Sequence, residues 1–114
     1  MIEPDTLKRI RDAEVQRFLN EKWAQIVQLY DPDHFILFGS RINGVPHEWS
    51  DIDMIIVSKA FRDTRWIERP FDFWNRVRPH LATTTLCYSP EEFAEARTGI
   101  GLVPDACREG LWIR

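Results

Sequence analysis

Apolar residues follow a helical period over the first part of the chain. Between residues 5 and 30 they recur at spacings of three to five positions, with charged residues between them. This spacing predicts an amphipathic helix. The pattern drifts near Asn20, so two consecutive helices are an alternative. Asp31-Pro32-Asp33 ends the helical segment, because proline lacks a backbone donor and restricts the residue before it. The apolar positions are Leu7, Ile10, Val15, Phe18, Leu19, Trp23, Ile26, Leu29 and Tyr30.

Runs with the composition of β-strands follow this helical segment. Residues 34–38 form a continuous apolar run of strand length, which is typical of a buried central strand. Residues 51–58 are rich in Ile and Val, and residues 83–88 are rich in β-branched and aromatic side chains. Residues 111–113 predict a short edge strand near the end of the sequence.

Helices are predicted between and after these strands. We expect one helix at residues 70–78. Ser89-Pro90-Glu91-Glu92 predicts another helix start, because Ser can cap, Pro suits the first position and Glu completes a capping box. That helix is expected to end near residues 98–99. A last short helix is predicted at residues 104–109, with Gly110 as its stop.

These elements predict an α/β (α+β) fold, with a small mixed sheet of three to four strands and helices packed mainly on one face. The 114 residues contain no repeat, linker or low-complexity segment, so we expect residues 1–114 to form a single domain. Apolar residues make up 44% of the chain and charged residues 29%. These proportions are typical of a globular protein and exclude a disordered or collagen-like chain.

Charge and cysteine content limit the location and partners of the protein. No apolar run approaches the roughly 20 residues that span a bilayer, and the first residues do not resemble a signal peptide. Cys87 and Cys107 are interpreted as free thiols in a reducing cytoplasm. Without an apolar run of that length we expect no membrane association. The net charge of −3 creates no global positive field, so we expect no autonomous nucleic-acid binding. A small phosphate ligand or a protein substrate is favoured instead.

Residues suited to phosphate binding stand where the first predicted strand ends. Gly39 lets the backbone approach a ligand closely, and the Ser40 hydroxyl can donate to a phosphate oxygen. Arg41 follows them, and its guanidinium fork suits phosphate oxygens. The alternatives are an ordinary turn for Gly-Ser and a solvated turn residue for Arg41. The Gly-Lys-Ser/Thr sequence of a Walker loop does not follow.

Two aspartates open the second predicted strand. Asp51 and Asp53 are two residues apart, so on a strand they point to the same face and can share one cation. Mg²⁺ prefers carboxylate oxygens together with substrate phosphates. Asp53 lies inside an otherwise apolar run, where a carboxylate is costly to bury unless something pairs with it. The pattern therefore predicts a metal site at Asp51 and Asp53, against the alternative of a solvated turn.

Together these elements resemble the signature of the DNA polymerase beta-like nucleotidyltransferase superfamily. The fuller pattern, Gly39-Ser40-Arg41-x-x-Gly44 followed by Ser50-Asp51-Ile52-Asp53, is similar to its minimal nucleotidyltransferase branch. The likeness extends to Tyr88-Ser89-Pro90-Glu91-Glu92-Phe93, so it covers most of the chain.

The resemblance implies a nucleotide substrate and a set of roles. Gly39 and Ser40 would bind the phosphates of ATP or another nucleoside triphosphate, with Arg41 as a further nucleotide contact. Asp51 and Asp53 would be the catalytic carboxylates that hold Mg²⁺. The reaction would transfer a nucleoside monophosphate to a hydroxyl acceptor and release pyrophosphate.

One position departs from the family pattern. Active members carry a third acidic residue on the next strand, and alignment of the Tyr88–Phe93 segment puts that position near Thr84. A Thr hydroxyl is neither an anion nor a base near neutral pH. Glu48, Asp63 or Glu68 could supply the acid, or a partner or the substrate could. Alternatively, the domain binds a nucleotide or a protein without transferring anything.

The resemblance also implies a protein partner. Small proteins of this branch are often paired with a HEPN-domain protein as toxin and antitoxin, with the nucleotidyltransferase as antitoxin. A homo-oligomer is left open. The aromatic residues Trp66, Phe71, Phe73 and Trp74 are interpreted as core or interface rather than as a surface for base stacking.

Overall fold

The computed structural model describes residues 2–114, which form six α-helices and four strands. Two short 3₁₀ turns, Lys59–Asp63 and Trp66–Glu68, precede the fourth helix. The elements are α1 (Pro4–Lys8), α2 (Ala13–Tyr30), β1 (His34–Phe38), α3 (Ser40–Asn43), β2 (Ile52–Val57), α4 (Arg69–Val77), β3 (Thr83–Tyr88), α5 (Pro90–Ala96), α6 (Leu102–Glu109) and β4 (Leu111–Trp112).

The N-terminal helical segment is divided into two helices. The division lies between α1 and α2 rather than near Asn20, so the alternative of two helices is right and its predicted boundary is wrong. Asp12 sets the start of α2, because its Oδ1 accepts hydrogen bonds from the backbone N–H groups of Glu14 (2.9 Å) and Val15 (3.0 Å). An Asp in this position satisfies donors that have no partner inside the helix.

The four strands form one mixed sheet in the order β3-β2-β1-β4. β1 is antiparallel to β2 and to β4, and β2 is parallel to β3. The parallel pair needs a crossover, which α4 and the two 3₁₀ turns provide. The predicted fold class and mixed sheet are confirmed. In this register Asp53 lies opposite Phe38 on one side and Thr84 on the other.

Side chains alternate between the two faces of the sheet and form a core on each, so the helices pack on both faces rather than mainly on one as predicted. The larger core contains side chains of α2 and α4 against one face, and the smaller core contains side chains of α5 and α6 against the other. The sheet residues of the larger core include Phe35, Leu37, Ile52, Met54, Ile56 and Cys87. Those of the smaller core include Ile36, Phe38, Ile55 and Val57. The smaller core covers only part of its face, and Asp53 and Thr84 lie beyond its edge, at least partly open to solvent.

The helix starting at Pro90 has the predicted capping box. Ser89 Oγ accepts from the Glu92 backbone N–H (3.2 Å), and Glu92 Oε1 accepts from the Ser89 backbone N–H (2.7 Å). α5 ends at Ala96 rather than near 98–99, because the Thr98 N–H donates to the Glu95 carbonyl (3.2 Å) and tightens the last turn. Of the helices that residues 2–114 form, none has the length and apolar character to cross a lipid bilayer.

Candidate functional site

Four of the residues singled out from the sequence meet at one end of the sheet, where β1 ends and β2 and β3 begin. Asp53 occupies the second position of β2, between the last residue of β1 and Thr84 on β3. Thr84 Oγ1 donates a hydrogen bond to Asp51 Oδ2 at 3.1 Å. Gly39 follows β1 directly and lies against Asp53. The sheet register therefore assembles Gly39, Asp51, Asp53 and Thr84 into one cluster.

Gly39 passes so close to Asp53 that no side chain fits between them. A Cβ built on Gly39 would lie 2.1 Å from Asp53 Oδ2. The Gly39 backbone also has φ +85° and ψ −167°, a region that only glycine occupies without strain. The requirement for glycine thus comes from the neighbouring carboxylate as well as from backbone conformation.

Ser40 begins α3 and borders a surface groove of about 360 Å³ between α3 and α6. Gly39, Asn43, Asp105 and Glu109 are among the other residues that line it. The groove is within the size range of small-molecule sites. Gly39 therefore both lines this groove and lies against the Asp53 carboxylate.

Asp53 is half-buried, and this environment perturbs its titration. Burial raises the pKa of the Asp53 carboxyl, the neighbouring Thr84 hydroxyl opposes the rise, and the negative charge of Asp51 adds to it. Across residues 2–114, no Lys, Arg or His forms an ion pair with Asp51 or Asp53. The site thus holds two adjacent carboxylates whose charge is not balanced by a basic side chain.

The donor atoms at this site suit a hard divalent cation such as Mg²⁺. Asp51 and Asp53 offer carboxylate oxygens, Thr84 offers a hydroxyl, and a bound cation would favour the ionised form of Asp53. No cluster of three or more His, Cys, Asp or Glu suited to a metal occurs within the described residues, so Glu48, Asp63 and Glu68 do not complete the site. Phosphate and water oxygens would supply the remaining ligands, as they commonly do for Mg²⁺.

The Arg41 side chain makes its hydrogen bonds inside the protein. Its side chain is 6% exposed, and all five of its N–H donors are used inside the protein. Nη1 donates to both carboxylate oxygens of Asp12 (3.2 and 2.9 Å), and Nε donates to the Ser50 carbonyl (2.8 Å). Nη2 donates to the carbonyls of His47 (3.4 Å) and Glu48 (3.3 Å). Arg41 therefore has no free donor for a nucleotide, and it is linked to the cluster through the carbonyl of Ser50, the residue before Asp51.

Asp12 is a structurally important residue of this region that the sequence analysis missed. It caps α2 and pairs with Arg41, which directly follows Gly39 and Ser40. Its local sequence carries a signal for the first role, since an Asp followed within two residues by an acidic first turn is typical of a helix N-cap. The second role depends on a contact 29 positions away, which no local pattern indicates.

Comparisons with known proteins agree with this architecture. A sequence profile of the family described as "Nucleotidyltransferase domain" matches residues 13–98, which is most of the chain. The chain therefore belongs to the nucleotidyltransferase domain family, and the resemblance noted from the sequence is confirmed at that level. Among solved structures, a "putative nucleotidyltransferase" from Sulfolobus solfataricus aligns at a TM-score of 0.50 and 15% identity, over 95% of this chain and 82% of that chain. That likeness concerns the fold alone. No curated protein sequence matches the chain with significance.

Replacing Gly39 with alanine should destabilise the protein by roughly 1–3 kcal/mol through backbone strain alone, with a further loss from the clash with Asp53 Oδ2. Gly99→Ala is the matched control, since Gly99 also has a positive φ (+82°) but has no atom within 4 Å of an added Cβ. Urea unfolding of both variants measures the difference. Equal losses for the two variants would contradict the close contact between Gly39 and Asp53.

Replacing Asp53 with asparagine should stabilise the metal-free protein at neutral pH. Because the pKa of Asp53 is raised in the folded state, its ionisation favours unfolding, and the wild type loses stability relative to the variant as pH rises above the ordinary Asp value of 3.8. The gain of Asp53→Asn should therefore be present at pH 7 and vanish near pH 3. Unfolding free energies across this range, in buffer with a metal chelator, test it. If the difference in unfolding free energy between variant and wild type did not change with pH, burial would not perturb the pKa of Asp53.

Proposed function

We propose that the protein is a Mg²⁺-dependent nucleotidyltransferase. It transfers a nucleoside monophosphate from ATP or another nucleoside triphosphate to the hydroxyl of an acceptor. The observation that carries the proposal is the pair Asp51 and Asp53, two carboxylates without a basic partner in the described chain, of which Asp53 lies directly against Gly39 and Asp51 accepts a hydrogen bond from Thr84. Membership of the nucleotidyltransferase domain family supports it.

The residues of the site have distinct roles in this proposal. Gly39 and Ser40 hold the phosphates, and Asp51 and Asp53 hold Mg²⁺, which when bound neutralises phosphate charge. The acceptor oxygen forms a bond to the α-phosphorus, and the bond from that phosphorus to the bridging oxygen breaks. Pyrophosphate leaves with the bonding electrons. The proton of the acceptor passes to water, because Thr84 is not a base near neutral pH.

Mg²⁺ and ATP together should raise the melting temperature of the wild type, whereas each alone should have little effect, because the site needs oxygens from both protein and phosphate. A ligand at about 100 times its dissociation constant stabilises by roughly 2.7 kcal/mol, or about 10 °C in a chain of this size. Differential scanning calorimetry measures the shift.

Asp53→Asn is the control for this experiment and should abolish the shift, although it stabilises the protein without ligand. A shift of similar size in Asp53→Asn would place nucleotide binding elsewhere on the protein. No shift in the wild type at millimolar ligand would contradict the proposed site in the isolated chain.

A second function, nucleotide binding without transfer, is favoured by one observation. Thr84 lies beside Asp53 in the sheet register and donates a hydrogen bond to Asp51, and the family resemblance puts the third acidic position near this residue. The protein would then bind a nucleotide and Mg²⁺ without transferring any group, and it would function as a regulatory subunit or antitoxin.

Thr84→Asp should distinguish transfer from binding alone. If the missing carboxylate is what prevents turnover, this variant should release pyrophosphate from ATP roughly 10²-fold faster than the wild type, with water and glycerol as acceptors. Adding Asp53→Asn to the same chain should remove the gain. Wild-type turnover that is lost in Asp53→Asn would instead support transfer and reject the binding-only alternative.

We also propose a protein partner and a cytoplasmic location. Trp66, Ile67 and Phe71 are 52%, 75% and 68% exposed, and two of them line an apolar groove along β3. Exposed apolar surface of this kind supports association with another protein. The family resemblance suggests a HEPN-domain protein in a toxin–antitoxin pair, with a homo-oligomer as the alternative. Cys87 and Cys107 are free thiols, which is consistent with a reducing compartment.

A further inference from the structure

The loop between α3 and β2 is held to the rest of the protein by Arg41. Val45 and Trp49 are 94% and 79% exposed, so this loop, residues 45–50, buries little apolar surface at these positions. Within the described chain, hydrogen bonds that leave the loop come from Arg41, to the carbonyls of His47, Glu48 and Ser50. The other hydrogen bonds of the loop are internal to it.

The shortest of these hydrogen bonds is made to the residue that precedes Asp51. The Ser50 carbonyl belongs to the peptide group that joins Ser50 to Asp51, and Arg41 Nε donates to it at 2.8 Å. Asp51 precedes β2, so the strand ladder that fixes Asp53 does not include it. The position of Asp51 therefore depends on how the loop before it is held, in addition to the hydrogen bond that its carboxylate accepts from Thr84 (3.1 Å).

Arg41 is itself fixed by an ion pair that is removed from solvent. The side chains of Arg41 and Asp12 are 6% and 10% exposed, and Asp12 is anchored because it caps α2. Such a pair keeps both side chains in place, because a buried charge that loses its partner strongly destabilises the folded state. The planar fork of Arg reaches one carboxylate and three carbonyls at once, which the single ammonium of Lys cannot do.

We propose that Arg41 is a positioning residue for the metal-binding carboxylate of Asp51, with Asp12 as its anchor, and that it does not contact the nucleotide. The proposal rests on the proposed function of the site. Arg41 directly follows the Gly39-Ser40 turn. Its hydrogen bonds therefore connect this turn to the loop before Asp51 and to the start of α2.

The chain contains a closely matched control for Arg41. Arg69 is also 6% exposed at its side chain, pairs with a carboxylate (Glu92, 2.6 Å) and donates to two backbone carbonyls, of Thr64 (2.9 Å) and Cys87 (3.2 Å). It lies at the opposite end of β3 from Thr84. Arg69→Lys should therefore cost stability as Arg41→Lys does, without disturbing the carboxylates.

The first measurement needs no ligand. Hydrogen exchange followed by mass spectrometry should show residues 45–51 exchanging about tenfold faster in Arg41→Lys than in the wild type, and unchanged in Arg69→Lys. Asp12→Asn, which keeps an oxygen for the helix cap, is the milder variant and should show a smaller change in the same segment. Unaltered exchange in both Arg41→Lys and Asp12→Asn would overturn the proposal.

The second measurement is binding of Mn²⁺ with the ATP analogue that has a methylene between the α- and β-phosphorus atoms. Calorimetric titration well below the melting temperature should show affinity about 10- to 100-fold weaker for Arg41→Lys, and within about twofold of wild type for Arg69→Lys. Asp53→Asn should bind no detectable ligand.

The outcomes separate the two proposals. Wild-type binding that Asp53→Asn abolishes, together with unchanged affinity in Arg41→Lys, overturns the positioning role and leaves the proposed function intact. An equal loss of affinity in Arg41→Lys and Arg69→Lys also overturns it, because the effect is then one of general stability. If the wild type does not bind the probe, the proposed site fails, and the role of Arg41 in positioning a metal ligand fails with it, even if exchange shows that Arg41 holds the loop.

Discussion

The antiparallel pairing of β1 with β2 places an ionisable group against a backbone turn, and much of the candidate site is built around that contact. Phe38 and Asp53 are partners in the sheet, so the residue after Phe38 must pass beside the Asp53 carboxylate. Gly39 is the residue that can do so, because it has no Cβ and tolerates a positive φ. The parallel pairing of β2 with β3 then brings Thr84 to the other side of Asp53. Two strand registers thus determine which side chains meet.

Buried and half-buried charged side chains occur in two different environments in this protein. Arg41 and Arg69 each have a carboxylate partner and backbone carbonyls around the guanidinium, so both are satisfied. Asp53 is half-buried beside a second carboxylate, and its pKa is raised because burial disfavours the ionised form. The first arrangement stabilises the native fold. The second costs stability unless a cation binds, and this contrast is what distinguishes a candidate ligand site from a structural ion pair.

Predicted and observed elements agree best where the structure depends only on residues that are neighbours in the sequence. Residues 83–88 were predicted as a strand and form β3, and the capping box at Ser89 is present because its bonds span only three residues. The fold class followed from these elements. The division of the first helical segment was misplaced, because Asp12 forms a helix cap that competes with continuation of the helix. Phe73 is buried in the core, whereas Trp66 and Phe71 are exposed, a distinction that aromatic composition does not make.

The sequence by itself determined the identity and order of the chemical groups: a Gly-Ser turn after a buried strand, two aspartates at the start of the next strand, and a threonine-rich third strand without a carboxylate. It determined them because hydrophobic period and residue type act over a few neighbouring positions. Only the tertiary structure decided which groups meet. Arg41 has the chemistry of a phosphate ligand, yet its donors are taken by Asp12 and by the loop before Asp51. The physical reason is that a guanidinium binds any suitably placed oxygens, and the packing of α2 against the sheet decides which oxygens are within its reach.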